Sequence, residues 1–575
     1  MKNNGQTFIK GALILALANF IVKIIGAIFK IPLYELIGKD GSGLFNVAYQ
    51  IYTFMFIIAT AGFPTAVSKM VAESTARGDE KGARKVFETA SILLGSIGII
   101  GATLLFVFAD DLAVFLGNSD AAFCIKVIAP TIFFTSIVSA FRGYFQGRQN
   151  MYPTAASEVI EALSKLVVGI VLAMFFMNMA VDKDLGVMVD FGAKTVRSVL
   201  DRTILSASGA IFGVSIGAAM SLVLMVIVYG VYVKKEKTLK VLEIGERTRR
   251  NILKELVLIA IPITIGAAVS SLTSLVDLAT VMNRLVVNPD VFQKYDFLFA
   301  KGTEFYNQAV ELSWSGAEIL EKKANTLYGM YTGQAQTMFN LPLTIIVALS
   351  MSAVPAISSA IAGKSDGEAK TITKSLIKIT VLFALPCAVG LSALSKGILG
   401  LLYSDADAFM LLEKLSIAII FVSIVQVSNA VLQAYGKVYY PVFSMLAGGV
   451  AKVLMNYFFI PVWGIDGAPI ATIVCYGIIA LINIICIVRV VKIRFDWMDT
   501  AIKPLFAALV MGFVLIFLEN AIGISRGATI LTIGIGGLVY VISAFLVRAI
   551  KREDILILPK GEKLAEILEK FRLIK

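Results

Sequence analysis

The sequence predicts an all-α polytopic membrane protein of about fourteen transmembrane helices: two pseudo-symmetric six-helix lobes plus two C-terminal helices. Composition, charge placement and an internal repeat carry that expectation. Of 575 residues, 58% are hydrophobic and 16% are charged, and the mean hydropathy is +0.84. Soluble domains carry about 25% charge. A bilayer crossing takes roughly 20 mainly apolar residues, so this chain has the make-up of one that lies mostly in lipid.

Apolar runs bounded by Gly, Pro and charge clusters fall at 8–37, 41–67, 84–108, 121–146, 155–179, 207–233, 253–282, 325–361, 371–395, 408–434, 440–460, 467–490, 501–519 and 527–548, here spans 1 to 14. Lys and Arg concentrate in alternate connections, as in Lys69/Arg77/Lys81/Arg84/Lys85 and Lys234/Lys235/Lys237/Lys240. The opposite short loops carry acids such as Asp110/Asp111 and Asp405/Asp407. That bias places both termini in the cytoplasm. The first run carries Lys10, Lys23 and Lys30 and continues past a signal-peptide core, so it is expected to stay as span 1.

The expected domains are an N-terminal lobe at 1–233, a basic cytoplasmic linker at 234–252, a C-terminal lobe at 253–492, two extra helices within 493–550 and a cytoplasmic amphipathic tail at 551–575. Two outer segments, 180–206 and 283–324, are too polar to span and have amphipathic patterns suited to the outer membrane face.

The repeat gives the lobes. Gln146, Tyr152-Pro153, Ser157 and Lys165 recur as Gln433, Tyr440-Pro441, Ser444 and Lys452 at an offset of 287 to 288. Pro64 and Ser68 are echoed by Pro355 and Ser358 at an offset near 291. Six spans separate the copies. An even unit keeps both lobes in one orientation, as in transporters whose halves are related by an axis along the membrane normal.

Several chemistries are excluded. With no histidine, Ser-His-Asp and Cys-His catalysis and His-ligated zinc are unavailable. Cys124, Cys387, Cys475 and Cys486 lie singly in apolar runs and read as small hydrophobes. There is no Gly-x4-Gly-Lys-Ser/Thr phosphate loop. The net charge of +12 follows from basic cytoplasmic loops and does not call for nucleic acid. No catalytic residue, metal or cofactor is expected.

Phe8-Ile-Lys-Gly-Ala-Leu-Ile-Leu15, Lys23-Ile-Ile-Gly-Ala-Ile-Phe-Lys30-Ile-Pro-Leu-Tyr34, Gly62-Phe-Pro-Thr-Ala-Val-Ser-Lys69, Tyr328-Gly329 and Ala353-Val-Pro-Ala-Ile-Ser358 resemble the stage V sporulation protein B and lipid II flippase branch of the multidrug/oligosaccharidyl-lipid/polysaccharide exporter superfamily. The resemblance covers nearly the whole chain. It implies two lobes around a cavity, two further helices that help form a groove for a lipid tail, and export of a polyprenyl-diphosphate-linked saccharide across the bacterial cytoplasmic membrane. It also implies basic residues on span 1, which Lys23 and Lys30 match.

Charges inside spans are the candidate site, since each costs about 2.5 to 3.5 kcal/mol on insertion scales. On span 1, Asn19, Lys23, Gly26 and Lys30 share a face, giving two cations suited to a diphosphate. The competing reading pairs Lys23 with a carboxylate on span 5 and lets Lys30 reach the interface. Glu158, Glu161 and Lys165 share a face of span 5, and Lys452 with Asn456 repeats the pattern on span 11. These five residues are candidates for a substrate or proton site, or for a structural ion-pair set binding the lobes together. Ser270, Ser274 and Asp277 on span 7 could hold Na⁺, or Asp277 a proton. The expected partners are a lipid-linked saccharide, membrane lipids and Na⁺ or H⁺, acting on a monomer. The rivals are an ion-coupled multidrug exporter of the same superfamily, a polytopic glycosyltransferase and an envelope-assembly scaffold.

Overall fold

The computed structural model describes residues 2–178, 199–236, 248–311, 313–363 and 365–550. Helices are the only regular elements among them, and every apolar span expected from the sequence lies on helix. The insertion at 180–206 falls largely outside the described residues, as do most of the basic linker and the whole tail at 551–575. Nine helices among the described residues are long and apolar enough to cross a membrane, ten with one bent pair, so the count of fourteen is not confirmed by that measure. Part of the difference is merging: Tyr439–Val491 joins spans 11 and 12.

The chain forms two compact units, 1–333 and 334–575. In the first, α1 (Lys2–Thr60) carries spans 1 and 2 and breaks at Gly38, whose φ of 67° is open to glycine at little cost. There follow α2 (Phe63–Ala76), α3 (Glu80–Val107), the short α4 (Ala109–Phe115), α5 (Ala122–Gly147), α6 (Tyr152–Asn178), α7 (Val199–Glu236) and α8 (Arg249–Leu285). The expected insertion at 283–324 folds as a short 3-10 turn, then α9 (Asp296–Phe299), α10 (Glu304–Glu311) and the start of α11 (Gly316–Met330). Its rings Phe292, Phe299, Phe305 and Trp314 pack edge to face in a chain. Helix α11 begins at a capping box in which Ser315 and Glu318 satisfy each other's backbone N–H.

Small residues set how closely these helices approach, as expected where lipid supplies no hydrophobic drive between them. Gly209, Gly213 and Gly217 form one face of α7 against α6, and a side chain at Gly217 would meet the Glu161 carbonyl oxygen at 2.6 Å. This contact fixes the backbone that carries Glu158, Glu161 and Lys165. Near the far end of α5, Phe87, Phe141, Tyr144 and Tyr229 make a ring cluster, with Arg148 stacked over Tyr144 and Tyr232 and paired with Glu80.

The second unit contains α12 (Gln336–Ala362), α13 (Asp366–Ala393), α14 (Ser395–Leu402), α15 (Phe409–Ser416), α16 (Ala418–Ala434), α17 (Tyr439–Trp463), α18 (Gly467–Val491), α19 (Lys503–Ile522) and α20 (Arg526–Leu546). Span 10 is broken, because α15 and α16 meet at 45°. An apolar core of Ile346, Ile357, Leu376, Val427, Val431 and Ile487 joins α12, α13, α16 and α18, and α19 packs on α13.

The repeat reappears in side-chain contacts. In the first unit, Arg142 Nε donates to Ser157 Oγ at 3.0 Å and Nη2 donates to Ser221 Oγ at 3.4 Å, tying α5, α6 and α7. In the second, Ser444 Oγ donates to Asn483 Oδ1 at 2.7 Å, and Asn483 Nδ2 donates to Asn429 Oδ1 at 2.8 Å, tying α17, α18 and α16. Arg142 with Asn429 and Ser157 with Ser444 are both 287 apart. The same three-helix junction is built twice.

Candidate functional site

Lys30, half-buried on α1, donates to Asn46 Oδ1 at 3.5 Å, on the stretch of the same helix beyond Gly38. Lys165 of α6 donates to the Tyr49 hydroxyl at 3.3 Å and lies over two rings, 4.3 Å from the centroid of Tyr49 and 5.0 Å from that of Phe29. The two ammonium groups are near enough for their charges to repel. Neither has an ion-pair partner among the described residues. Two cations thus converge beside amide, phenol and ring groups, an arrangement suited to a multiply charged anion. Lys23 is on an exposed face of α1, with no partner among the described residues, and Asn19 is turned back onto the Leu15 carbonyl.

Toward the Gly62 end of the same unit, Arg142 Nη2 donates to Glu161 Oε2 at 2.9 Å, with the two side chains 15% and 26% exposed. Glu158, one turn before Glu161, has a buried Oε2 with no hydrogen-bond partner. Hence Glu161 pairs with Arg142 and not with Lys23. Arg142 was not among the residues singled out from the sequence, although an arginine inside an apolar run is itself a signal.

The corner at Gly38 is bound to α11 and to the turn after α4 by polar contacts. Thr326 donates to the Asp40 carboxylate, Lys322 pairs with Asp120, and Glu321 accepts from the Ser119 backbone N–H. Asn118 donates to Asn325 Oδ1 at 2.7 Å, and Asn325 donates to the Asp40 carbonyl at 3.1 Å. A side chain at Gly329 would collide with the Lys39 carbonyl oxygen. At the other end, the Gly62 N–H donates to Thr264 Oγ1 of α8 at 3.2 Å. Different residues fasten the two ends.

Burial pushes the Asp40 carboxyl above the usual aspartate range, opposed first by the Thr326 hydrogen bond and then by the charges of Lys322 and Lys39, while Glu304 adds to the rise. The folded state therefore holds its proton more tightly than the unfolded chain. Stability from this group is present at acid pH and is lost as pH rises from the usual aspartate value through the raised one. Thermal unfolding in detergent across that window should show the decline, and Asp40→Asn should flatten it. An unchanged slope in that variant would assign the effect to another group.

On α8, Asp277 is buried and near Tyr328, whereas Ser274 is exposed; the Ser270 side chain lies outside the described residues. In the second unit Lys452 is buried and Asn456 fully so. Among the described residues no cluster of three or more His, Cys, Asp or Glu could hold a metal ion.

Known proteins match along the whole length. The profile described as "Polysaccharide biosynthesis protein" matches residues 8–182, and the one described as "Lipid II flippase MurJ" matches 317–532. Stage V sporulation protein B of Bacillus subtilis (strain 168) is 24% identical over 96% of this chain and 98% of its own. Lipid II flippase MurJ of the same organism is 25% identical over 84% of this chain and 82% of its own. A solved structure titled "Lipid II flippase MurJ, inward closed conformation" covers 93% of this chain and 98% of its own, with a TM-score of 0.66 at 15% identity. The chain is thus similar along most of its length to proteins of the multidrug/oligosaccharidyl-lipid/polysaccharide exporter superfamily. Its fold is that of the superfamily's transporters, and it is a multi-pass protein of the bacterial cytoplasmic membrane. The paired cations lie within the span of the first profile match, and α11 and α12 open the second.

Proposed function

We propose that the chain is a flippase, not an enzyme, that moves a polyprenyl-diphosphate-linked saccharide of the cell envelope across the cytoplasmic membrane by alternating access. The observation that carries this reading is the pair Lys30 and Lys165, two cations without carboxylate partners among the described residues. A diphosphate would replace their mutual repulsion with two charge-assisted contacts. Asn46 and Tyr49 would orient it. Lys23 extends the cationic stripe along α1, and Lys452 and Asn456 are the repeat-related candidates within the second unit. The relatives named as lipid II flippase and stage V sporulation protein B favour the same substrate class.

In this reading both termini are cytoplasmic, the protein works as a monomer, and the isoprenoid tail stays in lipid along α19 and α20. The contacts at the Gly38 corner form the outer gate and the Gly62–Thr264 bond belongs to the inner one. Carrying the diphosphate outward moves negative charge, which the membrane potential drives with ~2.3 kcal/mol per charge per 100 mV. The coupling ion, Na⁺ or H⁺, would bind a carboxylate such as Asp277. A multidrug exporter for cationic drugs is disfavoured, because unpaired lysines would repel its substrates. The deciding experiment is purified protein in liposomes with a fluorescent lipid-linked saccharide. Translocation with the substrate chemically unchanged is the expected result; a glycosylated product, or no movement, would reject the reading.

A further inference from the structure

One guanidinium faces two carboxylates within the membrane-spanning part of the first unit. Arg142 of α5 donates through Nε to Ser157 and through Nη2 to Glu161 and Ser221. Glu161 is thereby neutralised. Glu158 is left with a buried oxygen that accepts no hydrogen bond. The charged groups bearing on it are Arg142 from α5 and Glu161 on its own helix; Tyr52 of α1 bears on Glu161 and Arg142. Lys165 is two helical turns away, about 10 Å along α6.

The second copy of the junction shows that these charges are not needed to hold three helices together. At an offset of 287, Arg142, Glu158 and Glu161 correspond to Asn429, Met445 and Gly448. There the tie is made by neutral groups alone, Ser444, Asn483, Ser428 and Asn429. The first unit therefore carries one carboxylate beyond what packing requires or Arg142 can balance.

We propose that Glu158 is a proton-binding site: its carboxyl is carried neutral beside the Arg142–Glu161 pair, and it exchanges its proton in step with occupancy of the Lys30–Lys165 site. A buried carboxylate whose neighbouring cation is already paired with another carboxylate neutralises itself by binding a proton. A metal cation is a poor alternative, because it would meet the Arg142 charge and needs several oxygen ligands. An anion held two turns away repels a charged Glu158, so anion binding and protonation favour each other, and by reciprocity each strengthens the other equally. Loss of the anion lets the proton go. The proton site stands on its own geometry; its linkage to the anion rests on the flippase reading.

Infrared pH titration of the reconstituted protein tests this without any substrate. The wild type should show the carbonyl band of a neutral carboxylic acid around pH 7, and Glu158→Gln should abolish it. Glu161→Gln should abolish it as well, because Arg142 then becomes free to pair with Glu158 and ionise it. An ionised Glu158 would give no such band to lose. A wild type without the band, or a band undiminished in Glu158→Gln, overturns the proposal. Inorganic diphosphate should shift the titration midpoint upward in the wild type. A midpoint that does not move, with the band otherwise behaving as stated, overturns the linkage and counts against the anion site while leaving the proton site standing.

Discussion

Arg142→Ala is expected to cost about 3 kcal/mol of stability, the lower end of the range for breaking a buried ion pair. The lower end applies because the two side chains keep 15% and 26% of their surface exposed. Three losses combine. Glu161 is left ionised without its guanidinium, the Ser157 and Ser221 hydroxyls lose their donor, and the α5–α6–α7 junction loses its only cross-tie among the contacts described at that point. Adding Glu161→Gln should restore a large share, since it removes the stranded charge and leaves only hydrogen bonds unmade. The comparison is a double-mutant cycle read by thermal unfolding in detergent. If the double variant is as unstable as the sum of the singles, the pair is not coupled and the buried charge is not the source of the loss. Arg142→Asn, which copies the residue of the second junction, should be milder than alanine because the amide can still donate.

The helical, polytopic fold was legible because lipid leaves so few solutions: a spanning segment must satisfy its own backbone and be apolar for about twenty residues. Those requirements show directly in composition. Breaks within helices were less legible. Gly38 interrupts α1 through a single left-handed residue and leaves helix on both sides, so periodicity gives a boundary but not its geometry. The 45° bend between α15 and α16 falls inside expected span 10, at Ile417, with neither Gly nor Pro to mark it. The start of α11 at Gly316 could have been read, since Ser315 and Glu318 have capping-box spacing.

The site divides in the same way. Lys30, Glu161 and Lys165 were visible as charges in apolar runs, a cost that sequence alone reports. Their partners were not, because contact depends on which helices pack together. Tyr49 and Lys165 are 116 residues apart, and nothing near Tyr49 marks it as the group under an ammonium. The repeat was the strongest long-range signal. It aligned Gln146 with Gln433, Ser157 with Ser444 and Lys165 with Lys452, and the same offset four residues before Gln146 aligns Arg142 with Asn429. The contacts of Asp40, Asn118, Asp120, Lys322, Asn325 and Thr326 at the Gly38 corner come from polar residues at helix ends and connections, which in a sequence look like any solvated boundary.

Lys165→Ala should lower affinity for a diphosphate-bearing ligand roughly 10- to 150-fold, the equivalent of losing one charge-assisted contact of ~1.5 to 3 kcal/mol. Stability without ligand should move far less, because two effects oppose. Removing the ammonium gives up its contacts with the Tyr49 and Phe29 rings, each of a kind worth about 0.5 to 2 kcal/mol. It also relieves the repulsion of Lys30, which has no counter-ion among the described residues to offset it. Lys165→Arg should keep most of the affinity, because charge is retained even though its reach and shape differ. Lys165→Met separates the remaining possibilities by keeping an apolar stem and discarding the charge. If Lys165 serves only to pack against Tyr49, methionine should preserve ligand affinity; if it binds the anion, methionine should fail as alanine does, with unfolding temperature close to that of the wild type. Loss of stability in both neutral variants, with affinity per folded molecule unchanged, would remove Lys165 from the anion site.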